Sequence, residues 1–487
     1  MLPPRLRFQA LAFTGSFLAF CLEPAAAKLL LPRFGGSAYV WTGAMMFFQG
    51  LLLLACLYGR RAPSHPRAHA VVLALPFFFL PLALPPALAS SGPFVDLLWA
   101  LVRSVGVPFF ALSTTIVVAQ SWYMKSSRAD GYFLYAASNA GAACALLAYP
   151  FFIEPLLSVS AQGWLWRALY AAYAALCLSC VPRNRPASSP DSPGGRAPSP
   201  RERALWLLLS AAPCAALLAA TNLLSMDFAA VPLIWTAPLA VYLLTFVLNF
   251  KREPWDPETL NRTMLPMFAV RAALCLLAIG LAFRFASDSP PARILNRSLD
   301  RGKFAGVLFA LFALSMIFHR SLAAGRPASE RAMSEYYGWI AAGGLFGSVL
   351  VGLAVPLLGR HVGASALDWA VVGAIAVAAI IVRDWEKIGR HRATATGLAV
   401  AAVVLIAAAG RRSGAVYSLR NFYGVYSISD QDGVRVFFHG NTDHGMQFLE
   451  PGKQSEPLLY YGFSSPLGEA WDVLGAGWSS VGVVGLG

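Results

Sequence analysis

Two stretches decide how this chain is organised: YVWTGAMMFFQGLLLLACLYGRR, from Tyr39 to Arg61, and PLIWTAPLAVYLLTFVLNFKRE, from Pro232 to Glu253. Each has Trp-Thr near its start and a basic pair near its end, and between them lies an apolar run long enough to cross roughly 30 Å of hydrocarbon as a helix. A second pair repeats the theme. YFLYAASNAGAACALLAYPF, from Tyr132, and YYGWIAAGGLFGSVLVGLAVPL, from Tyr336, share an aromatic start, a face of small residues and a late proline. Between the pairs lies PRNRPASSPDSPGGRAPSPRER, residues 182–203, with almost nothing apolar to bury, which reads as a flexible linker.

Six-span halves related by a weak internal repeat are the pattern of major-facilitator-type transporter folds. The expected fold is therefore mainly α, a polytopic bundle with a first membrane half at 1–181 and a second half plus an extra span at 204–410. With 57% hydrophobic and 13% charged residues, the 487-residue chain holds more apolar surface than one soluble core can bury. Apolar runs recur about thirteen times between Phe8 and Gly410. In the first half they fall near 8–31, 39–58, 70–88, 97–121, 132–153 and 164–181. In the second they fall near 204–224, 230–250, 264–285, 304–322, 336–358, 366–382 and 393–409. The opening MLPPRLRFQA reads as the start of a first span and not as a removed leader, because the apolar run continues to Glu23 and Pro24 without a clear small-x-small cleavage site.

The net charge of +14 does not point to nucleic acid. The tail from Arg411 has five basic and seven acidic residues, which leaves 33 basic and 17 acidic residues for the membrane part. That excess sits in loops beside spans, where the cytoplasmic face collects Lys and Arg. The rule places the N-terminus in the cytoplasm, although Arg293, Arg297, Arg301 and Lys303 fall on the opposite side. A thirteenth span would carry the tail to the outer face, so either one run does not cross or the tail is not cytoplasmic. The seven cysteines all lie in apolar runs, and Cys177-x-x-Cys180 lacks the second ligand pair of a metal site, so packing is its expected role.

Charges in apolar runs are costly and often functional. Glu23 and Lys28 near the end of the first span, Asp227 before the eighth, and Arg103, Asn139 and Arg271 in or near others are the polar candidates. Each has a structural alternative: Lys28 snorkelling to the interface, Glu23 capping a break at Pro24, the rest bonding between helices or anchoring at the interface. His439, Asp443 and His444 fit no metal-ligand spacing, so no metal is expected.

In residues 411–487 the period changes. YGVYSIS (423–429) and VRVFFH (434–439) flank Asp430-Gln431-Asp432-Gly433, a hairpin signal. A helix is expected over Pro466–Leu474 and a strand over Val481–Val484, after which VGVVGLG reaches Gly487. Leu22–Gly50, the segment from Tyr132, and above all RNFYGVYSISDQDGVRVFFHGNTDHGMQFLEPGKQSEPLLYYG with VGVVGLG resemble the bacterial fused major-facilitator/spermidine-synthase-like membrane proteins. In that family the hairpin precedes a Rossmann-like domain similar to polyamine aminopropyltransferases. The resemblance implies a multi-pass protein of the bacterial inner membrane, with the lipid bilayer and a polyamine or other small molecule as partners. It also implies decarboxylated S-adenosylmethionine as cosubstrate, held by Gln447, Gly485 and Gly487, with Tyr460 and Tyr461 lining the amine site. His439 stands where the soluble enzymes usually have an aspartate, with an insertion at 441–444. The acidic catalytic residues expected beyond the glycine loop are not in this chain, so it is expected to be a truncated form, inactive alone. Two functions follow: inherited aminopropyl transfer to a polyamine, or transport of a polyamine or other small solute with a regulatory or vestigial tail. A non-catalytic membrane scaffold is a third possibility.

Overall fold

The computed structural model describes residues 3–88, 92–127, 133–182, 196–227, 235–250, 290–327, 330–358, 364–384, 397, 415–440 and 442–482. The first half comprises α1 (Pro4–Phe34), α2 (Ala38–Gly59), α3 (Pro66–Ala74), α4 (Pro93–Ser127), α5 (Phe133–Leu156) and α6 (Val159–Ser179). The second comprises α7 (Pro200–Asp227), α8 (Thr236–Asn249), α9 (Pro290–Ala324), α10 (Glu330–Val349) and α11 (Ala364–Arg383). Among the described residues, seven helices are long and apolar enough to cross a membrane, against the thirteen spans expected. The spans expected at 264–285 and, but for Gly397, at 393–409 lie outside the described residues.

Several differences have a local cause. The span expected over 70–88 is a nine-residue α3, a short 3-10 turn over Leu75–Phe78 and then irregular chain. Pro76, Pro81, Pro85 and Pro86 remove the amide hydrogens that a continuous helix needs. The linker expected to run to 203 gives way to α7 already at Pro200. Ser199 and Glu202 form a capping box there: the Glu202 carboxylate accepts from the Ser199 amide at 2.6 Å, and the Ser199 hydroxyl accepts from the Glu202 amide at 3.2 Å. Residues 183–195 of that linker are outside the described set. Three rods change to π-helix, over Val102–Gly106, Tyr149–Ile153 and Leu350–Ala354. Each change lies at or just before a proline (Pro108, Pro150, Pro356) whose missing N–H breaks the regular ladder.

Each half is built around its first helix. α1 packs on α4, α5 and α6, and α7 packs on α9, α10 and α11. Small residues permit the closest approaches: a Cβ on Gly141 of α5 would strike the Phe13 carbonyl of α1, and one on Gly347 of α10 would strike the Ala211 carbonyl of α7. Leu11, Leu22, Trp122 and Tyr170 belong to the first core, and Leu217, Leu311, Leu322 and Tyr336 to the second. Ala27 and Trp41 reach across from the first half into the second core.

Between the halves, α2 packs on α10 and α5 packs on α8. The sequence repeat relates α2 to α8 and α5 to α10, so it exchanges one of these contacts for the other. The matching tryptophans of one pair meet directly, Trp41 stacking on Trp235 at 5.9 Å between centroids, and aromatics from the starts of the other pair also stack, Tyr135 on Tyr337 at 5.7 Å.

The tail forms a four-stranded antiparallel meander, β1 (Ala415–Asn421), β2 (Gly424–Gln431), β3 (Val434–His439) and β4 (Thr442–Phe448). The expected hairpin is β2–β3, turning through Asp432 (φ 49°) and Gly433 (φ 79°), the left-handed pair that matches strand twist. β1 and β4 were not expected, and the residues read as an insertion at 441–444 lead into β4, with a register irregularity opposite Phe437 and Phe438. α12 (Pro466–Leu474) has the expected bounds, with the Ser465 hydroxyl accepting from the Gly468 amide at 3.2 Å. Val481 and Gly482 are not in a strand, and 483–487 lie outside the described residues.

The bundle has two distinct ends. At one, Arg201 donates to the carbonyls of Val382 and Arg383, both at 3.0 Å, Arg203 pairs with Glu335 at 3.0 Å, and Arg7 reaches the Ser179 carbonyl at 3.3 Å. The tail sits at the other end, where the Ser37 hydroxyl donates to the Phe422 carbonyl at 3.2 Å.

Candidate functional site

At the tail end, three helices and one strand converge on a buried carboxylate. Asp368 lies in the second turn of α11, and its Oδ1 accepts from Nη2 of Arg420 on β1 at 2.9 Å. Both side chains are 0% exposed. The other oxygen, Oδ2, accepts from Nδ2 of Asn222 on α7 at 3.0 Å. The Thr42 hydroxyl of α2 lies 2.6 Å from Asn222 Oδ1 and 2.8 Å from the Ala38 carbonyl, and its one proton serves one of them at a time. The Arg420 guanidinium also lies 5.0 Å from the centroid of the Tyr39 ring.

A buried charge is tolerable only when its partner and its remaining lone pairs are satisfied, and this set meets both conditions for the carboxylate. Burial by itself lowers the Arg420 pKa, but the Asp368 carboxylate and Tyr39 outweigh it and the net shift is upward, so the guanidinium stays charged. The cluster joins both halves and the tail. It holds the tail in register with the end of the bundle.

The residues expected from sequence are distributed elsewhere. Glu23, half-buried in α1, lies between Phe20 and Ala27 on one helix face, and both of those pack in the second core. Glu23 is thereby turned towards the interface between the halves, and it has no ion-pair or hydrogen-bond partner among the described residues. Lys28 pairs with Glu154 at the end of α5 at 2.5 Å. Arg33 forms a second pair of this kind with Asp96. Asn139 is half-buried on α5. Arg103 lies 5.6 Å from the ring centroids of both Phe79 and Trp99, an anchoring contact. The side chain of Asp227, all of Arg271, and the expected cofactor glycines Gly485 and Gly487 are outside the described residues.

In the tail, exposed Gln447 donates to the Gln454 carbonyl at 3.2 Å, and exposed Tyr460 donates to the His444 carbonyl at 2.8 Å. Tyr460 and Tyr461 are neighbours, 4.5 Å between centroids. His439 stacks on Tyr426 at 4.6 Å and lies 5.6 Å from the His444 ring. Burial, and then the positive character of His444, hold the His439 pKa below its ordinary value. Gln447 and Tyr460 thus each donate to a backbone carbonyl within the tail.

Thr42, Asn222, Asp368 and Arg420 were not among the expected site residues. The available signal was an aspartate inside the apolar run of α11, a position where a charge needs a reason. No family model matches the chain, and no curated protein matches it.

Proposed function

We propose that the membrane part is a two-half, major-facilitator-like transporter of a small cationic solute such as a polyamine, and that the tail closes one end of it. The observation that carries this reading is the exchange of partners at the interface, α2 with α10 and α5 with α8, under the same repeat that relates the helices in sequence. Alternating access needs two such halves rocking about a site between them. Glu23 and Asp368 offer one acidic group from each half along that interface, which favours a cation. By the positive-inside rule, the end bearing Arg7, Arg60, Arg61, Arg201, Arg203 and Arg383 faces the cytoplasm of a bacterial inner membrane, and the tail lies outside. α11 ends at the basic end, and β1 lies at the other.

Uptake of labelled putrescine or spermidine by the purified protein in liposomes tests the reading. Saturable uptake, lost in Glu23→Gln, is expected; uptake no greater than in empty liposomes overturns it. A second reading, aminopropyl transfer, is favoured by the antiparallel meander followed by a helix at Pro466–Leu474, the order that the spermidine-synthase resemblance implies before the cofactor domain. It predicts spermidine formed from putrescine and decarboxylated S-adenosylmethionine.

A further inference from the structure

The environment of Asp368 is that of a cation-binding site, and the cation in it is supplied by the chain itself. A fully buried carboxylate, the face of Tyr39 and the amide of Asn222 surround the Arg420 guanidinium and its partner. A carboxylate against an aromatic face is a common means of recognising an ammonium or guanidinium. The group bound here does not belong to the helices that build the site. It comes from the tail, 52 residues further along the chain, at the second-last residue of β1 before the Phe422–Tyr423 turn. Beside it, the tail meets the bundle through Ser37 with Phe422 and through Gly440 over Met226. Its outer surface is exposed at Val416, Tyr417 and Tyr423.

We propose that Asp368, Tyr39 and Asn222 form a binding site for primary amines or guanidines, and that Arg420 is a tethered occupant that a soluble cation displaces. The inference rests on the reading of the bundle as a two-half transporter of a cationic solute, and it adds a binding site for that solute and a mode of control. A tethered group competes at an effective concentration set by its link, here the 52 residues from Asp368 and the other contacts of the tail with the bundle. The intact protein should therefore respond to soluble amines weakly, and the site should respond strongly once Arg420 is removed. A residue that merely anchors the tail would also leave a gap beside Asp368 that a guanidinium fills in Arg420→Ala, so the separating response is that of wild type, where a tethered occupant yields to a soluble cation and an anchor does not.

The test is thermal unfolding of the full-length protein in detergent, as wild type, Arg420→Ala and the double variant Arg420→Ala with Asp368→Asn. Methylguanidinium or putrescine is titrated at constant ionic strength, with sodium chloride as control. A saturable upward shift in Tm is expected for Arg420→Ala, a much smaller one for wild type and none for the double variant. No shift in Arg420→Ala, no saturable shift in wild type, or an equal shift in the double variant overturns the proposal. Should Arg420→Ala fail to fold, Arg420→Gln, which keeps a hydrogen-bond donor for Asp368, takes its place with the same two outcomes. Liposome flux is read separately: amine-stabilised Arg420→Ala with no flux from any form supports the site and overturns the transport reading alone.

Discussion

Removing one charge of the Asp368–Arg420 pair should cost far more than removing both. In Asp368→Asn the guanidinium stays buried without its counterion, since the pair is 2.9 Å apart and both side chains are 0% exposed. Breaking such a pair from one side costs about 3–5 kcal/mol. In Arg420→Met the loss is of the same order, because the carboxylate keeps only the Asn222 bond at 3.0 Å. Asp368→Leu combined with Arg420→Met removes both charges and fills similar volume, a change that is often neutral, so most of the loss should be recovered. Unfolding midpoints in a double-mutant cycle give the coupling, and trypsin cleavage after Arg420 in Asp368→Asn reports release of the tail. Singles that each cost under about 1 kcal/mol, the range of an exposed pair, or that simply add, would show that the pair does not hold the tail.

Gly141→Ala and Gly347→Ala should each cost about 1–3 kcal/mol in thermal unfolding, since each new Cβ meets a backbone carbonyl that cannot step aside. Wild-type melting of either would deny the close approach. Thr42→Val removes the hydroxyl 2.6 Å from Asn222 Oδ1 and should cost about 1–3 kcal/mol. For His439 the folded pKa lies below the ordinary 6.5, so its contribution to the sheet is complete above about 6.5 and is lost as pH falls from there through the folded value. Hydrogen exchange of β2 and β3 across that window should show the weakening, and His439→Gln should flatten it. A cysteine placed at exposed Ser455, in a chain otherwise free of cysteine, should react with a membrane-impermeant maleimide on intact spheroplasts; labelling only after permeabilisation would put the tail inside.

The parts of the fold set by local chemistry were legible in the sequence. α12 has its expected bounds because Ser465, Pro466 and Gly475 mark them, and the β2–β3 turn follows from Asp432-Gly433. Hydropathy misled at 70–88, because it counts apolar side chains and not the amides that four prolines remove. β4, TDHGMQF, has a low strand propensity and exists through its pairing with β3, which no local window reports. The site was hidden for a similar reason. Asp368 was visible as a charge in an apolar run, but its partner lies 52 residues on, in a strand that the sequence did not announce.

The resemblance of the tail and its position point in different directions, and the position bears more directly on function. A resemblance in strand order carries a fold, while function lies in particular side chains. Gln447 and Tyr460 donate to separate backbone carbonyls within the tail. Arg420, from the same sheet, is instead buried between the halves of the bundle. If the basic end is cytoplasmic, a cosubstrate as charged as decarboxylated S-adenosylmethionine would have to cross the membrane to reach the tail. A solute arriving from outside would meet it directly. On the proposed transport reading the tail has a role that the enzyme reading does not give it, because a sheet that inserts a cation beside Asp368 stands between the outer solution and the acidic groups of the interface.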